Sequence, residues 1–299
     1  MTNQSRAYVF ALVSVLLWST VASAFKLSLR FLTPAELLFY ASCVSCVVLF
    51  TALALQGKLA LLATADRTVW KTSLLFGLLS PFLYYLILLK AYDLLPAQQA
   101  QPLNYTWAIT LSLLSVPLLG HRLKVLEIAA VLVSYLGVWV ISTQGDVLAL
   151  KFENSLGVAL ALVSTVIWAL YWIANTRDRR DPVLGLFLNF LCSLPFIGIY
   201  LLLTEGFRAV AGAGLLGAAY VGTFEMGIAF ISWLMAMKLT TSTARIANLI
   251  FISPFLSLFL IHFIVGEEIM ISSVVGLILI VAGLVLQALA GKKDRGESR

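Results

Sequence analysis

Residues 11–18 read ALVSVLLW, and residues 161–168 read ALVSTVIW. Four identical residues, followed four positions on by a Trp, recur at an offset of 150. Later in each segment Gly120-His121-Arg122-Leu123 is answered by Gly266-Glu267-Glu268-Ile269, and Leu136-Gly137 by Ala282-Gly283, at an offset of 146. Chance likeness between apolar segments is the competing explanation, since Ala, Leu, Val and Ser are common in lipid-spanning helices. Two matched regions at nearly one offset argue against it. They divide the chain into halves, 1–146 and 152–299, joined by a short polar connection that begins at Gly145 and Asp146.

Composition says where those halves sit. The 299 residues are 61% hydrophobic and 11% charged, against about 45–50% and about 25% in soluble domains. Ten apolar stretches are long enough to span a bilayer as helices: 7–29, 34–55, 70–89, 96–119, 124–143, 155–175, 182–203, 213–237, 240–263 and 271–290. None alternates apolar with polar as barrel strands do, and open strands cannot cross lipid with unpaired backbone groups. An all-α integral membrane protein of ten helices is expected. Five spans per half is an odd number, so the second half enters from the opposite side, giving an inverted repeat.

Charge orients it. Fifteen of the twenty basic residues, among them Arg6, Lys58, Lys71, Arg180 and Lys292, fall on the side that holds both termini. By the positive-inside rule that side is cytoplasmic, and an inner-membrane location is expected. The net charge of +6 is thus a membrane signature rather than a nucleic-acid footprint; the basic tail from Lys292 meets anionic head groups. Arg6, an apolar run and Ala22-Ser23-Ala24 fit a cleavable signal peptide, but the repeat of this segment in the second half argues for its retention. Cys43, Cys46 and Cys192 form no disulfide framework and read as packing.

The residues that could carry function lie where polar groups are costly. Counted from Pro96 at about 1.5 Å per residue, Trp107 lies roughly 16 Å into a core about 30 Å thick. Trp18, Trp168 and Glu225 reach comparable depth in their own segments. Gln98, Gln101, Asn104 and Tyr105, spaced three and four apart, form one polar stripe bordered by Trp107. Facing lipid, it would leave amides unpaired, so it lines a cavity or serves as interhelical glue. On the sixth span Ser164, Trp168, Tyr171, Trp172 and Asn175 recur at the same spacings, as Ser14 and Trp18 do on the first. Trp70, Trp139, Trp172 and Trp233, near expected helix ends, read as interfacial anchors.

Glu225 is the one acid placed mid-span. It can hold a substrate ammonium, carry a coupled proton, or be paired or protonated within the bundle. Lys90 and Lys238 lie near helix ends and snorkel; Arg245, with Asn248 on its face, is a candidate for a substrate carboxylate. His121 and His262 lie at boundaries and receive no role. Pro81, Pro102, Pro117, Pro195 and Pro254 fall within spans, where each removes a backbone bond. Gly212, Gly214, Gly217, Gly222 and Gly227 make the eighth span a close-packing helix.

The Trp18-Ser19 pair, the plan of two five-span halves, and Gly-His-Arg-Leu at 120–123 with Gly-Glu-Glu-Ile at 266–269 resemble the drug/metabolite transporter superfamily, EamA type. Within it, Asn104-Tyr105-Thr106-Trp107 and Ile167-Trp168-Ala169-Leu170-Tyr171 resemble the YddG-type aromatic amino-acid exporters. The family pattern has an acid after the fourth-span Gly; here His121-Arg122 stands there, while Glu267 keeps it in the second half. The resemblance implies export of amino acids and strengthens Trp107 and Trp168 as site residues.

Together these readings give an inner-membrane exporter of small, partly apolar solutes working by alternating access. Substrate binding is expected from Trp107, Trp168, Tyr105, Asn104, Gln101, Trp18, Tyr171 and Glu225. The expected partners are a small-molecule substrate and membrane lipid, with no nucleic acid, no cofactor and no metal, and the chain is expected to act as a monomer. A broader drug or nucleoside exporter is the nearer alternative; a phosphate substrate would call for mid-span bases. An intramembrane enzyme would need a second acid, a Ser–His pair or a metal site at depth beside Glu225, and the sequence offers none.

Overall fold

A computed structural model describes residues 2–119, 125–148, 154–175, 178–240, 246 and 248–297. Among them every regular element is helical. The helices are α1 (Asn3–Ser28), α2 (Pro34–Leu55), α3 (Arg67–Leu94), α4 (Ala97–Tyr105), α5 (Trp107–Leu119) and α6 (Val125–Ser142). They continue as α7 (Ser155–Asn175), α8 (Pro182–Thr204), α9 (Gly212–Leu239), α10 (Leu249–Val265) and α11 (Ile271–Glu297). Eight of these are long and apolar enough to cross a membrane. The other two expected spans are built differently: 96–119 comes as α4 and α5, broken at Thr106, and 240–263 contains the shorter α10.

The starts of the spans are written into the sequence. At α2, Thr33 accepts from the Glu36 N–H while the Glu36 carboxylate accepts from the Thr33 N–H, a reciprocal capping box with Pro34 in the first turn. At α8, Asp181 accepts from the amides of Val183 and Leu184, again ahead of a proline. Ala22 and Ser23 are buried inside a continuous α1.

Three interruptions shape the interior. In α3 the helix kinks within Leu78–Leu83, where Ser80 is extended (φ −149°, ψ 123°) ahead of Pro81. The break between α4 and α5 falls at Thr106, whose N–H and hydroxyl both turn back to the Leu103 carbonyl. In α9 a π stretch runs over Val221–Ala229 without any proline. Its loosened carbonyls are supplied from outside: Ser45 of α2 donates to Met226 O at 3.0 Å, and Ser14 of α1 donates to Ala229 O at 3.0 Å. Broken helices survive in lipid only where neighbours satisfy the backbone in this way. Pro254 lies within α10, where the 3₁₀ turn Asn248–Ile252 passes into the α-helical segment Ser253–Leu260.

Close approach holds the bundle together. A Cβ on Gly222 would collide with the Ala41 carbonyl of α2, and one on Gly77 with the Asn189 carbonyl of α8. Gly217 is pressed onto Ser28 and Gly214 onto Leu32, so the expected close packing holds from Gly214 onward, whereas Gly212 has open space beside it. At one end Glu267 accepts from the N–H groups of Ala97 (2.8 Å) and Gln98 (3.1 Å), capping α4. Gln98 reciprocates, donating to Glu268 O and accepting from Met270 N. The Glu267 motif therefore ties the loop before α11 to the broken fourth span. Its first-half counterpart, Gly120 to Leu123, and Arg245 lie outside the described residues.

Candidate transport cavity

Between α1, α3, α4, α5, α7 and α9 lies a cavity of about 260 Å³. Seven of the eight expected residues line it: Trp18, Gln101, Asn104, Tyr105, Trp107, Trp168 and Glu225. Tyr171 does not. It stands behind Trp168, rings parallel within 15° and 5.3 Å apart, and faces a neighbouring cavity of about 290 Å³. Residue 171 is one turn from 168 but on the adjacent face of α7, so the shared stripe splits across two cavities.

The polar stripe of α4 splits too. Gln101 and Tyr105 border the cavity, whereas Gln98 is committed to the loop at 268–270. Asn104 does both: it lines the cavity, accepts from the Tyr84 hydroxyl at 3.3 Å and donates to Ser164 at 3.1 Å. Glue and lining, posed as alternatives, divide residue by residue.

Two tryptophans expected at the membrane surface are inside instead. Trp172 and Trp233 line the cavity. Trp172 lies parallel to Trp107 at 6.3 Å and edge-on to Trp168 at 5.9 Å, and Trp233 lies against Trp18 at 5.3 Å. Their position near helix ends suggested anchoring, but both indoles face this interior, Trp233 buried and Trp172 half-buried. Trp70, 41% exposed, fits an anchor.

Sequence reading picked no α3 side chain for the site. Tyr84, Tyr85 and Tyr92 line the cavity with Phe25 of α1 and Phe230 of α9. Tyr84 stacks on Trp168 at 4.4 Å and meets Tyr85 edge-on at 4.8 Å. The signal was present: Tyr85, Leu88 and Tyr92 recur at three and four immediately after Pro81, the same spacing that marked α4.

Glu225 sits in the π stretch of α9, 9% exposed. Its Oε1 accepts from the Tyr85 hydroxyl at 3.1 Å, and its Oε2 is buried with no partner among the described residues. None of the described residues lining this cavity is Lys, Arg or His. No group of three or more His, Cys, Asp or Glu is placed to hold a metal among the described residues.

The profile of the EamA-like transporter family matches residues 5–143 and again 155–289. The chain belongs to that family. It is a multi-span membrane transporter. A transporter of Clostridium kluyveri, itself uncharacterised, is 24% identical over 96% of this chain and 94% of its own length. The aromatic amino acid exporter YddG of Ancylobacter novellus is 25% identical, covering 79% of this chain and 81% of its own. One crystal structure superposes with a TM-score of 0.67 at 25% identity, covering 97% of this chain and 98% of the other. The family and these relatives are transporters, which points away from an enzyme.

Proposed function

We propose that this EamA-family transporter exports small organic solutes with a flat apolar body, aromatic amino acids foremost, through the cavity between α1, α3, α4, α5, α7 and α9. The observation that carries this reading is the indole and phenol wall of that cavity, at Trp18, Tyr84, Trp107, Trp168 and Trp172. Rings of this kind hold an aromatic passenger by stacking and burial. Likeness to an aromatic amino acid exporter from Ancylobacter novellus supports the substrate class. The cavity-lining residues described carry no base, which disfavours phosphorylated solutes over neutral and amine-bearing ones.

The working plan is ten spans in two inverted halves, 1–146 and 152–299, with both termini cytoplasmic in the inner membrane. Two reciprocal contacts support it: α3 of the first half seats Gly77 on α8 of the second, and α9 of the second seats Gly222 on α2 of the first. Rocking of such halves exposes the cavity alternately to each side.

Purified protein in lipid vesicles tests the reading. Labelled phenylalanine or tryptophan enters protein-containing vesicles, and Trp107→Ala or Trp168→Ala lowers that flux at least about fivefold, the scale of one lost stacking contact of about 1–3 kcal/mol. The variants elute as monodisperse protein. Unchanged flux in both removes the indole wall from the transport path.

A further inference from the structure

We propose that the cavity selects its passenger by a protonated amine seated on Glu225, so that aromatic monoamines lacking a carboxylate are substrates in their own right. This rests on the cavity being the transport site and goes past it, because it makes the amine, not the amino-acid backbone, the recognised group.

The inference starts from an imbalance. A carboxylate buried in an apolar interior needs a cation or several donors to offset its lost hydration. Glu225 receives one, the Tyr85 hydroxyl on Oε1, while Oε2 is buried with no described partner. The described cavity lining contains no base to complete the pair. Asn104, one of the two amides that line the cavity, is committed on both sides, to Tyr84 and Ser164.

The surrounding rings complete a cation site. Tyr85 carries Glu225 at its hydroxyl and packs edge-on against Tyr84. Tyr84 in turn stacks on Trp168, and Phe230 meets both Trp168 (6.0 Å) and Trp18 (5.9 Å). The faces of such rings carry partial negative charge and attract a cation. An ammonium beside Oε2 gains a charge-assisted hydrogen bond and a ring face together. A carboxylate brought to the same place meets like charge from Glu225 and from the rings. A monoamine such as phenethylamine meets only attraction, and 3-phenylpropionate, with the same phenylethyl body, meets repulsion. Phenylalanine falls between them.

Quenching of the intrinsic tryptophan fluorescence of the purified, detergent-solubilised protein gives the test, with phenethylamine, 3-phenylpropionate and neutral 3-phenylpropanol as titrants. Phenethylamine binds at least about tenfold tighter than either of the others, as expected for one hydrogen bond to a charged group. Glu225→Gln brings the three within about threefold of one another, while Glu225→Asp, which keeps the charge, keeps phenethylamine the tightest. Labelled phenethylamine enters vesicles containing the wild-type protein. Equal binding of 3-phenylpropionate, or an amine preference that survives Glu225→Gln, overturns the proposal. If labelled phenylalanine still crosses in a Trp107-dependent manner, only the amine assignment falls; if no aromatic solute of any charge crosses, the transport reading of the cavity falls with it.

Discussion

α3 and α9 both lose regular helical geometry near their middles, and they do so by different means. In α3 the cause is local, Ser80 extended ahead of Pro81. In α9 there is no proline; the π stretch is held open by hydroxyls from two other helices, Ser14 and Ser45. Each carries a glycine at its interruption that lies against a backbone carbonyl of a helix across the molecule, Gly77 on Asn189 and Gly222 on Ala41. They meet where Tyr85 donates to Glu225. A proline can be read from its own position. An interruption sustained by other helices cannot, and that one bears the acid.

The largest effect expected from this comparison is at the glycines. Gly77→Val and Gly222→Val each push a side chain into backbone rather than into a side chain that can move. Overpacking costs about 1–3 kcal/mol where neighbours can shift, and here they cannot, so each is expected at or above the top of that range. Thermal unfolding in detergent, followed by loss of monodisperse protein, measures it. Tolerance at one glycine and collapse at the other would break the likeness between α3 and α9.

A smaller effect separates the two helices. Ser14→Ala and Ser45→Ala remove the donors to Ala229 and Met226, leaving α9 carbonyls short of partners. Membrane side-chain bonds average about 0.6 kcal/mol and reach about 1.7 kcal/mol, so the double variant is expected to lose about 1–2 kcal/mol. Amide exchange is expected to rise over 221–229 and stay unchanged over 78–83. A rise in both helices alike would show that one shared element holds both open.

What the sequence made legible follows the same division. The placing of the eight long apolar helices and the choice of Trp107, Trp168 and Glu225 as costly positions rest on local or additive properties. Trp172 and Trp233 were misplaced because a helix end marks the membrane surface only if the helix stands clear of its neighbours, and those two ends do not. Tyr171 was misplaced by one helix face, which spacing cannot separate when two cavities share a wall. Tyr84 and Tyr85 were readable from their spacing after Pro81, but their worth depends on Glu225, 140 residues away, and no local pattern links the two.

The partner helices α2 and α8 extend the comparison to the smallest expected effect. Each begins with an acid at its cap that is paired with a base from the far half of the chain: Glu36 with Arg208 at 2.5 Å, Asp181 with Lys58 at 2.7 Å. At Asp181 burial pushes the carboxyl up, but the Lys58 ammonium and the amides of Leu184 and Val183 outweigh it and hold the carboxyl below its ordinary value. A carboxyl depressed by folding contributes stability that is full above its unfolded value, near 3.8, and is lost as pH falls through the lower folded value. With both partners partly exposed, water and salt screen the pair, and it contributes at most about 1 kcal/mol. Asp181→Asn keeps a capping oxygen but not the charge, so its loss in thermal stability is expected to be small at pH 7, to shrink as pH falls past 3.8 and to vanish only below the depressed folded value. No loss at any pH would mean that Asp181 acts as a cap alone, with Lys58 adding nothing to the joint between the halves.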